Sequence, residues 1–383
     1  MENIEAAVRA RYGSASQFKE DALCCPVEYN PEYLKILPGE IIERDYGCGD
    51  PSAFVLPGET VLDLGSGGGK ICYIASQIVG AKGSVIGVDT NLEMLALANK
   101  YRDEMALKTG FANTEFCYGK IQDLKLNLSL VDEYLRENPI KIADDFFAYE
   151  SYITKIKAEK PLIADDSIDL ILSNCVLNLV KPEDKQQMFA EMFRVLKNGG
   201  RVAISDIVAD ENVPVHLQND PELWSGCISG AFREDLFIEA FEKAGFYGME
   251  IVKRDDKPWR VVEGIEFRSV TIVAFKGKQG VCLERNQAVI YKGPWKRVFD
   301  DDGHALERGS RIAVCDKTFQ IYSKEPYASQ IIAVEPLENI ALEDATEFNC
   351  KRTTTRHPRE TKGLEYNLTD LTGEFCGEGE NCC

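Results

Sequence analysis

The sequence has few histidines and an excess of acidic over basic residues. Only 3 of its 383 residues are histidine, and none of these (His216, His304 and His357) lies in the motifs described below. The 44 lysines and arginines are outnumbered by 63 aspartates and glutamates, which gives a formal net charge of −19. Phosphate backbones and anionic lipid surfaces repel such a chain. We therefore expect no nucleic acid and no membrane among its partners.

The sequence also lacks a long apolar run, an apolar leader and zinc-finger cysteine pairs. A membrane-spanning helix needs a run of about 18 or more apolar residues, and none is present. The first residues, MENIEAAVRARYG, are mixed in charge and unlike a signal peptide, which favours a cytoplasmic protein. The 13 cysteines are an odd number in such a chain, which indicates free thiols rather than a disulfide framework. Without zinc-finger spacing, a structural zinc site is weakly supported.

The length and the 44% of apolar residues fit two or three domains with buried cores. Residues 1–50 form a mixed arm that contains the pair Cys24 and Cys25. Residues 51–277 alternate strand and helix patterns, which predicts a doubly wound α/β sheet. Residues 281–383 predict a small β-rich C-terminal domain that ends in a flexible cysteine tail.

Apolar periodicity predicts the individual elements. In the α/β region the expected strands are 61–64, 85–88, 114–118, 168–172, 202–204, 251–252 and 267–275. The expected helices there are 71–79, 92–108, 185–196 and 233–244. Residues 120–166 are polar and partly helical without a strand pattern, so we interpret them as an insertion. In the last domain we expect strands at 288–291, 311–314, 319–322 and 331–334.

A glycine-rich turn follows the first strand and points to a cofactor. Gly65, Gly67 and Gly69 would present backbone N–H groups and a helix N-terminus to a ligand. Asp89 ends the next strand, where a carboxylate accepts hydrogen bonds from ribose hydroxyls. A nicotinamide dinucleotide is disfavoured because Lys70 replaces the third glycine and Asp63 would repel a pyrophosphate. The sulfonium and ammonium of S-adenosylmethionine suit Asp63 better.

Two segments resemble the class I methyltransferases. Residues 63–69 (DLGSGGG) resemble the first motif of that superfamily, and residues 196–202 (LKNGGRV) resemble its helix-to-strand junction. The resemblance implies a Rossmann-like methyltransferase domain that binds S-adenosylmethionine. Its expected contacts are Asp63, Gly65, Ser66, Gly67 and Asp89, with Met94 against the adenine and Ile121 and Asn174 nearby.

Four further segments, within roughly residues 10–255, resemble the arsenite methyltransferases. They are 44–49 (RDYGCG), 65–73 (GSGGGKICY), 173–179 (SNCVLNL) and 223–232 (LWSGCISGAF). The resemblance implies that Cys72, Cys175 and Cys227 bind trivalent arsenic, supplied as arsenite or its thiol conjugates. It also implies that Cys24 or Cys25 helps to load arsenic or reduce the product, and that thioredoxin or glutathione resets the enzyme. Cys48 matches a family position of less defined role.

The residues themselves support such a thiol site. Cys72 lies in the first turn of the helix after the glycine loop, where the helix N-terminus favours a thiolate. Cys175 follows a strand at the sheet edge where ligands bind, and Cys227 lies in a glycine-rich loop. Thiolates prefer soft, thiophilic centres. Arsenic bound to sulfur keeps a lone pair that can attack a methyl group without proton transfer, so the protein's task is positioning.

Other interpretations remain open at this stage. The acceptor could be a small organic molecule, or the protein could bind metalloids through thiols without turnover; a dehydrogenase is a third alternative. Two further groups of residues have no assigned role. The tail cysteines fit either metalloid capture or a solvated tail, and the last domain offers candidate metal ligands. These residues are Cys376, Cys382 and Cys383, and Cys282, His304, Cys315 and Cys350.

Overall fold

The computed structural model describes residues 4–18, 20, 27–350 and 355–367. The chain divides into two units, Met1–Gly277 and Lys278–Cys383. The predicted cysteine pair Cys24 and Cys25 lies outside the described residues, as do Cys376, Cys382 and Cys383. Among the described residues, no helix combines the length and the apolar character needed to cross a membrane.

The first unit is a mixed α/β fold. Its helices are α1 (Ile4–Ala15), α2 (Pro31–Leu34), α3 (Gly39–Glu43), α4 (Lys70–Val79), α5 (Leu92–Lys100), α6 (Arg102–Thr109), α7 (Leu128–Glu137), α8 (Ala143–Glu159), α9 (Pro182–Val195), α10 (Val215–Gln218), α11 (Pro221–Ser225) and α12 (Glu234–Lys243). Its strands are β1 (Thr60–Leu64), β2 (Ser84–Asp89), β3 (Thr114–Lys120), β4 (Asp123–Asn127), β5 (Ile168–Asn174), β6 (Leu196–Ala209), β7 (Phe232–Arg233), β8 (Tyr247–Arg254), β9 (Arg260–Val262) and β10 (Ile265–Phe275).

One sheet joins these strands in the order β4-β3-β2-β1-β5-β6-β10-β8, with β7 paired to β6 and β9 to β10. The pairs β1–β2, β2–β3, β1–β5 and β5–β6 are parallel, while β4, β8, β9 and β10 pair antiparallel. The central strand β1 is apolar because both faces of the sheet are covered. Val61, Leu62 and Leu64 are each fully buried. The predicted doubly wound α/β class is confirmed.

The topology creates a crevice at the carboxyl end of β1. The chain places β2 and β3 on one side of β1 and then crosses to place β5 and β6 on the other. Loops leaving β1 and β5 therefore diverge at this edge, which is where ligands bind in open α/β sheets. The glycine turn after β1 lies at this switch point.

Three predictions within the first unit were wrong in detail. The helix expected over 92–108 ends at Lys100 and restarts at Arg102, and the hydroxyl of the intervening Tyr101 donates to Glu40. The segment interpreted as an insertion without strands begins with β4, which pairs with β3 and buries Leu124 completely. Residues 198–200, expected to lie between the helix over 185–196 and the strand over 202–204, are instead part of β6. Its backbone exchanges hydrogen bonds with Lys276, from Gly199 N to Lys276 O at 2.8 Å and from Lys276 N to Gly200 O at 2.9 Å.

The second unit is small and rich in short strands. Its strands are β11 (Leu283–Glu284), β12 (Ala288–Tyr291), β13 (Arg297–Phe299), β14 (Ala305–Glu307), β15 (Arg311–Ala313), β16 (Ile331–Val334) and β17 (Thr346–Glu347), and its helices are α13 (Asp316–Tyr322) and α14 (Pro358–Lys362). The strand expected at 319–322 is part of α13. Phe319 and Tyr322, three residues apart, are both buried on one face of that helix, a spacing that a strand would not permit. The Cys315 sulfur begins the helix by accepting from Thr318 N at 3.4 Å.

Candidate active site

The glycine turn and its neighbouring acids line one pocket at the carboxyl edge of the sheet. Every residue predicted to contact the cofactor lines it. These residues are Asp63, Gly65, Ser66, Gly67, Asp89, Met94, Ile121 and Asn174. The pocket also receives Tyr12 from α1 and Cys175 from the loop after β5. A cofactor bound here would therefore lie beside at least one thiol position.

Local backbone geometry explains the turn. Gly65, Gly67 and Gly69 all have positive φ angles (73°, 49° and 85°), a conformation that side chains disfavour. Asp89 holds the turn against the next strand, since its carboxylate accepts from Gly67 N at 2.8 Å and from Asn91 N at 2.8 Å. This places the acid that follows β2 at the rim of the turn, where ribose hydroxyls would bind.

Gly65 is expected to be the least replaceable of these glycines. A Cβ there would lie 2.4 Å from Val176 Cγ1, and its φ is +73°. Gly58 has a similar φ of +83° and open space, so it serves as a matched control. We expect Gly58→Ala to lower the free energy of unfolding by about 1 kcal/mol through backbone strain alone. Gly65→Ala should lower it by about 1–3 kcal/mol more through the clash.

Urea denaturation followed by circular dichroism measures both losses. Equal losses for Gly65→Ala and Gly58→Ala would contradict the packing of the turn against Val176 described above.

The polar atoms of the pocket fit S-adenosylmethionine. Ser66 Oγ is buried and has no hydrogen-bond partner among the described residues, as expected of a hydroxyl that awaits a polar ligand. Asp63 is only 2% exposed, and its Oδ2 accepts from Cys72 Sγ at 3.2 Å. Burial raises the pKa of Asp63 to about 7, and the charges of Asp45 and Asp89 contribute to the rise. A cationic ligand beside Asp63 would offset this desolvation.

We expect cofactor affinity to depend on pH through Asp63. Because its pKa is about 7, the carboxyl is largely neutral at pH 6 and largely charged at pH 8. The charged form attracts a cation, so the affinity should fall as the pH falls from 8 to 6, by up to about tenfold per pH unit. Isothermal titration calorimetry across that range measures the effect.

Asp63→Asn should bind the cofactor more weakly and with a flat pH profile. The control, Asp103→Asn, removes an exposed carboxyl in the first turn of α6 and should keep the wild-type slope. A wild-type slope in Asp63→Asn would assign the pH dependence to another group.

A cluster of cysteines lies where the loops after β5 and α11 meet the N-terminal arm. The expectation of free thiols fails here, because Cys48 and Cys175 are joined by a disulfide, and both are buried. The Cys227 thiol donates to the Cys175 carbonyl oxygen at 3.3 Å, and Tyr12 Oη is 3.9 Å from the same sulfur. Cys175 and Cys227 have positive φ angles of 59° and 62°. Backbone strain of this kind is retained where a side chain must be held in one position.

The loop that carries Cys48 is held in place by Asn174, the last residue of β5. Asn174 Oδ1 accepts from Cys48 N at 2.8 Å and Gly49 N at 3.1 Å, and its Nδ2 donates to Gly49 O at 2.7 Å. Ser269 Oγ donates to Cys48 O at 2.7 Å. The arm is thus attached to the sheet by side chains more than 120 residues away in sequence.

A buried acid at the end of β6 completes the cluster. The sulfurs of Cys48 and Cys175 and a carboxylate oxygen of Asp206 all lie within 4.8 Å of one another. Burial raises the pKa of Asp206 to about 6, although hydrogen bonds from backbone N–H groups and the charge of Lys185 oppose the rise. Burial also lowers the pKa of Lys185 to about 8. Neither Asp206 nor Lys185 was predicted from the sequence. The position of Asp206 near the carboxyl end of a strand could have indicated a site residue.

Cys72 lies apart from this cluster. Its side chain is fully buried in the core between α4 and the sheet, with Val61 and Leu172, whereas Cys48, Cys175 and Cys227 share another apolar cluster. Burial raises the pKa of the Cys72 thiol well above its ordinary value, and the charge of Asp63 raises it further. The helix N-terminus was expected to lower it. The structure thus brings together Cys175 and Cys227 of the predicted set, with Cys48 as their neighbour.

The largely parallel sheet, the glycine turn and the acids Asp63 and Asp89 define a class I S-adenosylmethionine-dependent methyltransferase. A family model described as a methyltransferase domain matches residues 56–245. A second model, described as a domain of unknown function, matches residues 278–366.

Relatives narrow the class further. Arsenite methyltransferase of Aquipseudomonas alcaligenes is 33% identical over 85% of this chain and 89% of that protein. The human arsenite methyltransferase is 31% identical over 79% of this chain and 74% of its own length. The crystal structure of an arsenic(III) S-adenosylmethionine methyltransferase from Chlamydomonas reinhardtii is 26% identical, with a TM-score of 0.56, and the match covers 85% of this chain and 100% of that one. The chain belongs to the arsenite methyltransferase family.

Proposed function

We propose that this protein transfers a methyl group from S-adenosylmethionine to trivalent arsenic held by the thiolates of Cys48, Cys175 and Cys227. The observation that carries the proposal is the position of Cys175. It lines the pocket that contains the glycine turn, its sulfur is bonded to that of Cys48, and its carbonyl oxygen accepts from the Cys227 thiol. The sequence predicted Cys72 as the third ligand, and that assignment stays untested. We propose Cys48 instead, because Cys48 lies beside Cys175 and Cys72 does not.

Arsenic binding needs three reduced thiols, so an external thiol must first reduce the Cys48–Cys175 disulfide, becoming a disulfide itself; no oxidant is needed. Each thiol replaces one hydroxyl of arsenous acid, so that a sulfur–arsenic bond forms, an arsenic–oxygen bond breaks and water leaves. The buried carboxylate of Asp206 lies beside the Cys48 and Cys175 sulfurs and can accept a thiol proton on its way out. S-adenosylmethionine supplies an activated methyl group. The protein then needs only to aim the arsenic lone pair at that group.

The same thiols can return the product to the trivalent state. Methyl transfer leaves arsenic two electrons more oxidised, and two thiols that form a disulfide supply those electrons. Cys48 and Cys175 are close enough to form one. We propose thioredoxin or glutathione as the external thiol that reduces this disulfide, and Cys24 or Cys25 as a thiol that loads arsenic or takes part in reduction. A reducing, cytoplasmic location suits this chemistry.

One assay tests the function. Purified protein is incubated with arsenite, S-adenosylmethionine and either glutathione or a thioredoxin system, and methylarsenicals are separated by chromatography with elemental detection. We expect sustained methylarsenical formation with a thiol reductant and a stop within a few turnovers without it. If cofactor binds and no methylarsenical forms, the acceptor is another small molecule or the protein only binds metalloids.

A further inference from the structure

The second unit contains three cysteines on separate segments that the fold brings near one another. Cys282 precedes β11, Cys315 begins α13 and Cys350 follows β17. The pairing of β11 with β17 brings the first and last of these segments together, and Phe348 N donates to Cys282 O at 2.8 Å. Cys282 packs against the small cluster that contains Cys315, and the Cys350 thiol donates to Phe348 O at 3.6 Å. The three sulfurs do not all lie within 4.8 Å of one another. None of the three is in a disulfide.

The three cysteines differ in how far they are exposed to solvent. Cys315 is buried with Ala313 and Phe348, and Cys282 packs against this small cluster. Cys350, by contrast, is exposed. An ion could therefore enter from the Cys350 side and meet the two more buried sulfurs below. Closing three sulfurs around it requires movement of the Cys350 side chain, which solvent exposure permits.

Nearby polar groups suit thiolates. Thr318 presents its hydroxyl 3.2 Å and its N–H 3.4 Å from the Cys315 sulfur, at the N-terminus of α13. Burial raises the pKa of Cys315, and these contacts oppose the rise. Burial likewise raises the pKa of Cys282, and the positive charge of Lys317 opposes it. Burial thus keeps Cys282 and Cys315 protonated when the site is empty, and the Thr318 contacts and the charge of Lys317 favour their thiolates once arsenic binds.

The donor set favours an ion that takes three sulfurs. Structural zinc requires four ligands, and the fourth candidate, His304, is engaged elsewhere. His304 Nδ1 is 2.8 Å from Asp300 Oδ2 in a separate group with Asp302. Trivalent arsenic binds three thiolates in a pyramid and keeps its lone pair on the open side, and soft thiolates prefer such a centre.

We propose that Cys282, Cys315 and Cys350 form a second binding site, for a trivalent thiophilic metalloid such as arsenic, in the second unit. Each thiol replaces a hydroxyl of arsenous acid, forming a sulfur–arsenic bond and releasing water, so nothing is oxidised or reduced. The site requires only that arsenite reaches the protein, and it does not depend on methyl transfer.

The stoichiometry of bound arsenic tests this site. The fully reduced chain is incubated with arsenite and glutathione, which competes with sites of fewer thiols, then desalted and measured by elemental mass spectrometry. We expect Cys282→Ser and Cys350→Ser each to bind one arsenic atom per chain fewer than the parent. The control, Cys117→Ser, removes a partly buried cysteine in β3 and should leave the count unchanged.

An unchanged arsenic count in both variants would overturn the proposal. Cys350 is exposed, so Cys350→Ser tests the site without disturbing the core, and circular dichroism confirms that each variant is folded. X-ray absorption spectra of arsenic bound to a Cys48→Ser/Cys175→Ser/Cys227→Ser chain give a second readout. We expect three sulfur neighbours around the arsenic atom. Methylarsenicals are assayed separately. If no methylarsenical forms, the number of arsenic atoms bound per chain still tests the second site.

Discussion

Replacing Cys175 with serine is expected to lower methyl transfer to arsenite by about 100-fold or more, because a misplaced reactant loses most of the benefit of positioning. Cys175 lines the pocket of the glycine turn, its sulfur is bonded to Cys48, and its carbonyl oxygen accepts from the Cys227 thiol. A serine hydroxyl is a poor ligand for a soft centre, so arsenic would be held by two thiolates at best. Initial rates of methylarsenical formation measure the loss.

Two comparisons make this result specific. Cofactor affinity, measured by calorimetry, should change by less than about threefold in Cys175→Ser, because the glycine turn and Asp89 are untouched. Cys117→Ser removes a cysteine distant in sequence from the proposed thiols and should keep the parent rate. Near-normal turnover in Cys175→Ser would exclude thiolate-bound arsenic and leave a methyltransferase with another acceptor.

A second pair of variants distinguishes Cys48 from Cys72 as the third arsenic ligand. Cys48→Ser should lower the rate by about 100-fold or more, for the reason given for Cys175. Cys72→Ser should lower it by less than about tenfold. Serine can still donate the hydrogen bond that Asp63 receives from Cys72, and the loss is then confined to packing.

The opposite order would restore the sequence-based assignment. If Cys72→Ser abolished turnover while Cys48→Ser did not, the loops would have to rearrange on arsenic binding to bring Cys72 to the cluster. If both variants lost most of their methyl-transfer rate and Cys72→Ser also bound the cofactor more weakly, the effect of Cys72→Ser would be assigned to its contact with Asp63.

The glycine turn that lines the pocket was predictable because its parts are close together in the sequence. A strand, a glycine turn and a helix lie within residues 60–79, and Asp89 ends the next strand. The rules for such units relate sequence spacing directly to position. All eight residues expected around the cofactor line one pocket, and their contact with the cofactor stays a prediction.

The prediction of secondary structure failed where tertiary contacts override the local sequence pattern. β4 is only five residues long, with two leucines in alternation, and it forms because β3 offers an edge and Leu124 fills the core. The segment at 319–322 has residues typical of strands, but buried packing of Phe319 and Tyr322 makes it helical.

The sequence by itself determined the class of protein, the cofactor turn and the presence of cysteines suited to soft chemistry. Only the tertiary structure decided which cysteines meet. Asn174 and Ser269 fix the arm loop so that Cys48 reaches Cys175 across a separation of 127 residues, while Cys72 packs into the core beside Asp63. Spacing along a chain specifies neighbours within one turn or one strand. It cannot specify contacts between distant loops, because these depend on how every intervening element packs.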